Sequence, residues 1–254
     1  MEITFVGTGA AKSQLNRFHT SLLISKDNHK LLIDTGDGVS KALLSSNMNP
    51  NSIDSIFITH THADHFSGIV SLLTQMKLTG RTSPLRFFIH KSFTDFITTF
   101  FNASFLFAET FDFDFKIIGF DFDSEIKLDE NFNIYPMQNN HISNKHNIQN
   151  ISDVQFISSS ILIKDNVNTL HYSSDIDDIS ELSLYEKFNP DYLITESTHI
   201  SFNEIIEFVK KSELKKTFLV HINDDDKIIE QYEKLSNEEK NIVTPTYDGM
   251  KITL

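Results

Sequence analysis

The stretch His60-Thr61-His62-Ala63-Asp64-His65 places three imidazoles and one carboxylate within six residues. Imidazole and carboxylate groups are common ligands of divalent metal ions. Four of them within six residues are more than a purely structural segment needs. An apolar run over residues 55–58 precedes the stretch and predicts a buried strand. Apolar residues at helical spacing follow it and predict a helix: Phe66, Ile69, Val70, Leu72, Leu73 and Met76. The six residues are therefore expected in a loop of an α/β fold, where catalytic groups are commonly placed.

The composition indicates one large domain with an acidic surface. The chain has 254 residues, 39% of them hydrophobic, and no obvious linker, so a single domain over residues 1–254 is expected. The formal net charge of −13 argues against tight, non-specific binding to nucleic acid, which requires clustered Lys and Arg. No secretory signal or membrane span is visible, which predicts a cytoplasmic protein without membrane contact. Because Cys is absent, any metal site must use His and carboxylate ligands.

The six-residue stretch cannot complete two coordination shells by itself. His60 and His62 alternate on an extended segment and could reach one ion, while Asp64 and His65 could reach a second. Further ligand-type residues follow or end predicted strands: His141, Asp175 and His221. The strands concerned are predicted over Phe132–Met137, Thr169–Ser173 and Phe218–His221. Each residue alone is more often structural, but together with the stretch they favour a metal centre.

Two other segments carry expectations that the structure can test. Phe111, Phe113 and Phe115 alternate as in a strand, and Ser180–Phe188 has the pattern of a helix. Residues 93–122 are rich in Phe, which indicates core and sheet packing or, alternatively, a substrate entrance or a dimer face.

The order of these motifs resembles the metallo-β-lactamase superfamily. That order is His-x-His-x-Asp-His, a lone His, an Asp after a Tyr-Ser run, and a late His. Outer segments resemble the ribonuclease Z-like branch, which includes small phosphodiesterases. These segments are the opening strand and turn (residues 3–9), a second-strand motif (31–36), a strand end with a Glu (193–199) and a C-terminal strand (247–252).

The resemblance implies a four-layer αβ/βα sandwich with a dinuclear site at one edge of two sheets. It implies two divalent metal ions, with zinc expected and manganese or iron as alternatives. The first ion would be held by His60, His62 and His141, the second by Asp64, His65 and His221, and Asp175 would bridge them. A hydroxide between the ions would be the nucleophile.

Three carboxylates and one imidazole have further roles by the same resemblance. Asp64 would also take part in catalysis by orienting the water. Asp34 would support a ligand imidazole through a hydrogen bond, or else cap a turn. Glu196 and His199 would assist proton transfer to the leaving group. The alternative for this pair is a helix-capping cluster of Ser and Thr with a solvated His.

The chain departs from tRNA-processing members of the branch, because it has no basic, Gly/Pro-rich arm. A hydrolase of small cyclic or single-stranded phosphodiesters is therefore the first hypothesis, with a small molecule or short nucleotide as substrate. A lactonase, esterase or β-lactamase-like carbonyl hydrolase is the second. The third is a non-catalytic or biosynthetic accessory protein, since residues 221–223 resemble the pyrroloquinoline-quinone-associated branch.

Two side chains outside the motifs bear on the choice of substrate. An anion clamp from Arg17 or Lys145 would favour a phosphate over a lactone. No stable binding of nucleic acid is expected, and a homodimer is compatible with the Phe content.

Overall fold

Two mixed β-sheets of seven strands each form the centre of the computed structural model, which describes residues 1–142 and 155–254. The first sheet runs, in spatial order, through β14 (Lys251–Thr253), β1 (Glu2–Gly7), β2 (Ser21–Lys26), β3 (His29–Ile33), β4 (Ser55–Phe57), β5 (Leu85–His90) and β6 (Phe115–Phe120). The second runs through β13 (Val243–Pro245), β12 (Lys216–Val220), β11 (Tyr192–Glu196), β10 (Thr169–Tyr172), β9 (Ser159–Lys164), β8 (Phe132–Gln138) and β7 (Ile126–Asp129).

Helices cover the outer face of each sheet. Four accompany the first sheet: α1 (Val39–Ser45), α2 (Ala63–Phe66), α3 (Ile69–Leu78) and α4 (Thr94–Ala103). Three accompany the second: α5 (Phe202–Lys211), α6 (Asp225–Glu233) and α7 (Asn237–Ile242). Within the described ranges, no helix is both long and apolar enough to cross a bilayer.

Three separate apolar clusters show how these layers pack. One lies between the first sheet and its helices, one between the two sheets, and one between the second sheet and its helices. Three interfaces require four layers, because each sheet buries both of its faces. The expected four-layer αβ/βα sandwich is therefore confirmed.

Parallel strands bring the chemical groups to one edge of the sandwich. Strands β3 to β6 are parallel to one another, as are β10 to β13. Loops at the carboxyl ends of such strands are the usual place for ligand sites in α/β folds. Residues from β3, β4, β10, β11 and β12 meet at these ends, and the loop after β8 joins them.

Close backbone packing holds the predicted metal loop against the loop after β3. The amide of Thr35 donates to the carbonyl of His65 at 2.7 Å, and the amide of Gly68 donates to Thr35 at 2.8 Å. A Cβ atom on Gly36 would lie 2.2 Å from the carbonyl oxygen of Asp64. Glycine is therefore required at position 36 by space.

Two predicted elements are wrong. Phe111 and Phe113 precede the strand, which begins at Phe115, and their stacked rings lie 4.8 Å apart. Instead of joining the sheet, the ring of Phe111 packs against the ammonium group of Lys77 in α3, and the ring of Phe113 packs against the guanidinium of Arg81. The segment predicted as a helix over Ser180–Phe188 forms two 3-10 turns, Ile179–Ser183 and Glu186–Phe188. Leu182 in the first turn and Tyr185 between the two turns are buried three positions apart, a spacing that 3-10 turns and α-helices share.

Candidate metal centre

A first cluster of ligand atoms joins the two sheets. It consists of His60, His62, His141 and Asp175, whose ligand atoms all lie within 4.8 Å of one another. Nδ1 of His62 is 3.2 Å from Nε2 of His60 and 3.1 Å from Nε2 of His141. His60 and His62 come from the loop after β4, whereas His141 follows β8 and Asp175 follows β10.

A second cluster lies beside the first and shares one residue with it. It consists of Asp64, His65, Asp175 and His221, all buried. Nε2 of His221 lies 2.9 Å from Oδ2 of Asp64 and 3.3 Å from Oδ2 of Asp175. The structure thus brings together all seven predicted ligands, with Asp175 common to both clusters.

The donor set fits divalent metal ions. Nε2 of His65 and Oδ1 of Asp175 are buried 3.3 Å apart, and neither makes a well-directed hydrogen bond within the described residues. Buried polar atoms in folded proteins nearly always have a partner, so such a pair indicates a missing one. Nitrogen and carboxylate donors in two groups of four are what zinc or a similar ion requires.

The ionisation of the three histidines of the first cluster agrees with this fit. Burial lowers the pKa of His141 to about 4 and depresses the pKa of His60 and of His62 below the ordinary value. These imidazoles are therefore neutral near pH 7, as metal ligands must be. Burial also lowers the pKa of His65, but the carboxylates of Asp175 and Asp34 outweigh it and raise this pKa well above the ordinary value.

Asp34 occupies the position expected of a residue that supports a ligand. Its Oδ2 accepts a hydrogen bond of 2.7 Å from Nδ1 of His65, and its Oδ1 accepts one of 2.8 Å from the amide of Thr59. Burial raises the pKa of Asp34, while the contacts with His65 and Thr59 lower it. Through Nδ1, this carboxylate directs Nε2 of His65 toward the second cluster.

Glu196 and His199 form a pair at the mouth of the clusters. Oε1 of Glu196 lies 3.1 Å from Nδ1 of His199, and Oε2 accepts hydrogen bonds from the amides of Thr198 and His199. Hydrogen bonding to Glu196 is the main cause that raises the pKa of His199. The His199 ring is 4.7 Å from the ring of His141 and 5.5 Å from that of His221.

Left-handed backbone marks three residues of the centre. The φ angles are 60° at Asp34, 53° at Ser174 and 53° at His221. This conformation costs a residue other than glycine about 1–2 kcal/mol, and such strain concentrates at functional sites. Each residue lies where a strand ends, and Ser174 directly precedes Asp175, which both clusters share.

Sequence reasoning missed the role of Asn139. Its Nδ2 donates to the carbonyl of Asp175 at 2.9 Å, and its Oδ1 accepts from the amide of His141 at 3.3 Å. Asn139 is 2% exposed, and its buried side chain connects the backbone of two predicted ligands, His141 and Asp175. The pair Asn139-Asn140 just before His141 was the available signal.

Arg17, from which an anion clamp would favour a phosphate, is engaged within the fold. Its Nε donates to Asp225 at 2.6 Å, and its Nη1 donates to the carbonyl of Thr246 at 2.9 Å and to the hydroxyl of Thr8. The guanidinium therefore joins segments of the fold to one another. Lys145, the other residue from which such a clamp would favour a phosphate, lies outside the described residues.

Comparison with known proteins gives matches in sequence. A family profile described as "Anti-Pycsar protein Apyc1" matches residues 1–241. Ribonuclease Z of Methanococcus aeolicus is 38% identical over 88 residues, which are 35% of this chain and 27% of that protein. The chain thus matches only about a quarter to a third of the length of such curated relatives.

Solved structures resemble the whole chain. Human tRNase Z, short form, superposes with a TM-score of 0.77 and 21% identity, over 100% of this chain and 99% of that one. The metallo-β-lactamase fold protein YhfI from Bacillus subtilis gives a TM-score of 0.74 and 18% identity, over 99% of each chain. At these identities the likeness concerns the fold.

Proposed function

This chain belongs to the Apyc1 family of anti-Pycsar proteins, in the ribonuclease Z-like branch of the metallo-β-lactamase superfamily, and we propose that it is a metal-dependent phosphodiesterase. The observation that carries this proposal is the sharing of Asp175 by two ligand clusters beside the Glu196–His199 pair. The proposed substrate is a small cyclic or single-stranded phosphodiester. By the name of the family, we further propose that the reaction counteracts Pycsar.

Each side chain of the two clusters would have a defined role in holding metal. His60, His62 and His141 would hold one divalent ion, Asp64, His65 and His221 a second, and Asp175 both. Divalent ions in such a site polarise a phosphoryl oxygen and activate water near neutral pH.

Two groups would handle the protons of the reaction. Asp64 is a buried member of the second cluster, and besides holding an ion it would orient the attacking water. His199, whose side chain is 38% exposed, would donate a proton to the leaving oxygen while Glu196 fixes its ring through Nδ1. Such a pair supplies the proton that an alkoxide leaving group needs, as the departing oxygen of a phosphodiester does.

The positions of the arginines favour a small substrate. The sequence contains only Arg17, Arg81 and Arg86. Arg81 donates to four backbone carbonyls, Arg86 donates to those of Lys127 and Leu128, and Arg17 pairs with Asp225. All three are used inside the fold, so none remains to track a long RNA backbone.

The decisive experiment compares two substrates. Purified protein would be loaded with Zn²⁺ or Mn²⁺ and assayed on bis-p-nitrophenyl phosphate and on a simple acyl lactone. We expect diester cleavage that a chelator abolishes, followed by activity on cyclic nucleotides or on short single strands. A variant His29→Gln, changed at the opposite end of β3 from Asp34, is the matched control and should retain activity.

Other outcomes would overturn the proposal. Lactone cleavage without diester cleavage would assign the protein to the carbonyl hydrolases. Tight metal binding without either activity, on cyclic nucleotides included, would support the accessory-protein hypothesis.

A further inference from the structure

The hydroxyl of Thr59 lies at the centre of four polar groups. Thr59 connects β4 to His60 and is 2% exposed. Its Oγ1 is 3.0 and 2.9 Å from the two oxygens of Asp34, 3.0 Å from Nδ1 of His60 and 3.0 Å from Oγ of Ser174. Ser174 directly precedes Asp175, the residue that both clusters share.

The protons of these groups follow from their capacities. A hydroxyl has one proton and two lone pairs, whereas an ionised carboxylate only accepts hydrogen bonds. Thr59 must therefore donate to Asp34 and accept from the other two. It accepts one hydrogen bond from the hydroxyl of Ser174 and one from Nδ1 of His60. The shared proton network thus defines the tautomer of His60, with its proton on Nδ1.

This tautomer directs the free lone pair of His60 into the first cluster. Nε2 of His60 is the atom that lies 3.2 Å from His62. Asp34, the acceptor of the Thr59 proton, also accepts from Nδ1 of His65 and so turns Nε2 of His65 to the second cluster. One hydroxyl therefore contacts a ligand of the first cluster directly and a ligand of the second through one carboxylate.

We propose that Thr59 is a positioning residue that couples the two metal sites, by fixing His60 through its hydroxyl and His65 through Asp34. The proposal rests on the proposed function only in requiring that both clusters bind metal. Loss of this hydroxyl leaves Nδ1 of His60 without its acceptor and the Asp34 carboxylate with one donor fewer. Both rings then lose part of their orientation, so both sites weaken together.

The first test measures zinc binding with no substrate present. Thr59→Val, which keeps the shape and removes the hydroxyl, should weaken zinc binding about 10–100-fold at both sites in a competition titration. Thr59→Ser should restore it, since the hydroxyl returns. Thr217→Val is the matched control, because the buried hydroxyl of Thr217 has no hydrogen-bond partner within the described residues. This control should bind zinc as the wild type does.

A second test reads the tautomer of the wild-type protein. In the zinc-loaded protein, ¹⁵N-resolved NMR of the histidines should show His60 with its proton on Nδ1. A proton on Nε2 would overturn the proposal even if Thr59→Val failed to fold. Equal zinc affinity in wild type and a folded Thr59→Val, or weakening at one site only, would overturn it and leave the proposed function intact. Wild-type protein that binds neither zinc, manganese nor iron would overturn both.

Discussion

The carboxylate of Glu196, which is fully buried, lies 3.1 Å from Nδ1 of His199, whose side chain is 38% exposed. The other carboxylate oxygen of Glu196 is 3.9 Å from Nδ1 of His221, a predicted metal ligand. A single carboxylate thus stands between a ring of the metal centre and a ring that faces solvent. A group that only capped the following turn would not need to contact either ring.

Substitution Glu196→Gln should slow the cleavage of diesters according to their leaving group. A leaving alkoxide needs a proton, and loss of general acid catalysis costs about 10²–10⁴-fold. p-Nitrophenolate leaves without a proton, so bis-p-nitrophenyl phosphate should be affected much less. Steady-state kcat on both kinds of diester, together with the zinc content of each sample, measures the difference. Equal losses on both substrates, or a parallel loss of zinc, would make Glu196 a structural residue.

Substitution His62→Ala should abolish hydrolysis and leave the fold intact. His62 is exposed, so its removal leaves no cavity, yet it lies within 3.2 Å of two other predicted ligands. Far-UV circular dichroism and the metal-free Tm should match the wild type, while turnover disappears. Unchanged turnover would contradict the assignment of the first cluster.

Removal of metal should lower the thermal stability. Ions that bind only the folded state stabilise it, by about 2.7 kcal/mol for one site at a free concentration of 100 times Kd. For a domain of this size, such a gain raises Tm by about 5–10 °C. Tm would be measured after chelation and again after addition of zinc, with calcium as the control. If zinc leaves Tm unchanged, the clusters do not bind it in the folded protein.

Substitution Gly36→Ala should weaken zinc binding through the backbone. The new Cβ would lie 2.2 Å from the carbonyl oxygen of Asp64 and would push the metal loop away from the loop after β3. Gly80→Ala is the control, because Gly80 has a φ of 69° but no atom within 4 Å of the added Cβ. The control should lose about 1 kcal/mol of stability and keep its zinc affinity. Equal zinc affinity in both variants would show that the close approach at Gly36 is not needed.

The residues of the site could be predicted because they form recognisable patterns in the sequence. His60, His62, Asp64 and His65 form a dense motif, and His141, Asp175 and His221 lie close to strand ends. Strand ends of a parallel sheet meet at one edge, so residues distant in sequence could be assigned to one centre. Their roles as ligands, the homodimer and the cytoplasmic location stay predictions.

Features that arise from tertiary packing could not be predicted. The role of the Thr59 hydroxyl depends on its contacts with Asp34 and Ser174, which other strands bring to it in the folded chain. The sequence gives no indication of the left-handed backbone at Ser174, because serine rarely adopts this conformation. Helix α7 has no buried residue and so lacks the apolar period by which helices are recognised. Of the Phe-rich segment, Phe101, Phe113 and Phe120 are buried, while Phe96, Phe105 and Phe107 are exposed.

Each ligand cluster draws on both sheets. His60 and His62 follow a strand of the first sheet, and His141 and Asp175 follow strands of the second. During synthesis on the ribosome, the first half of the chain therefore offers an incomplete set of donors, and His221 emerges late. Both donor sets are therefore complete only once the two halves have docked, and until then the growing chain offers cellular metal ions partial sets in place of a finished site.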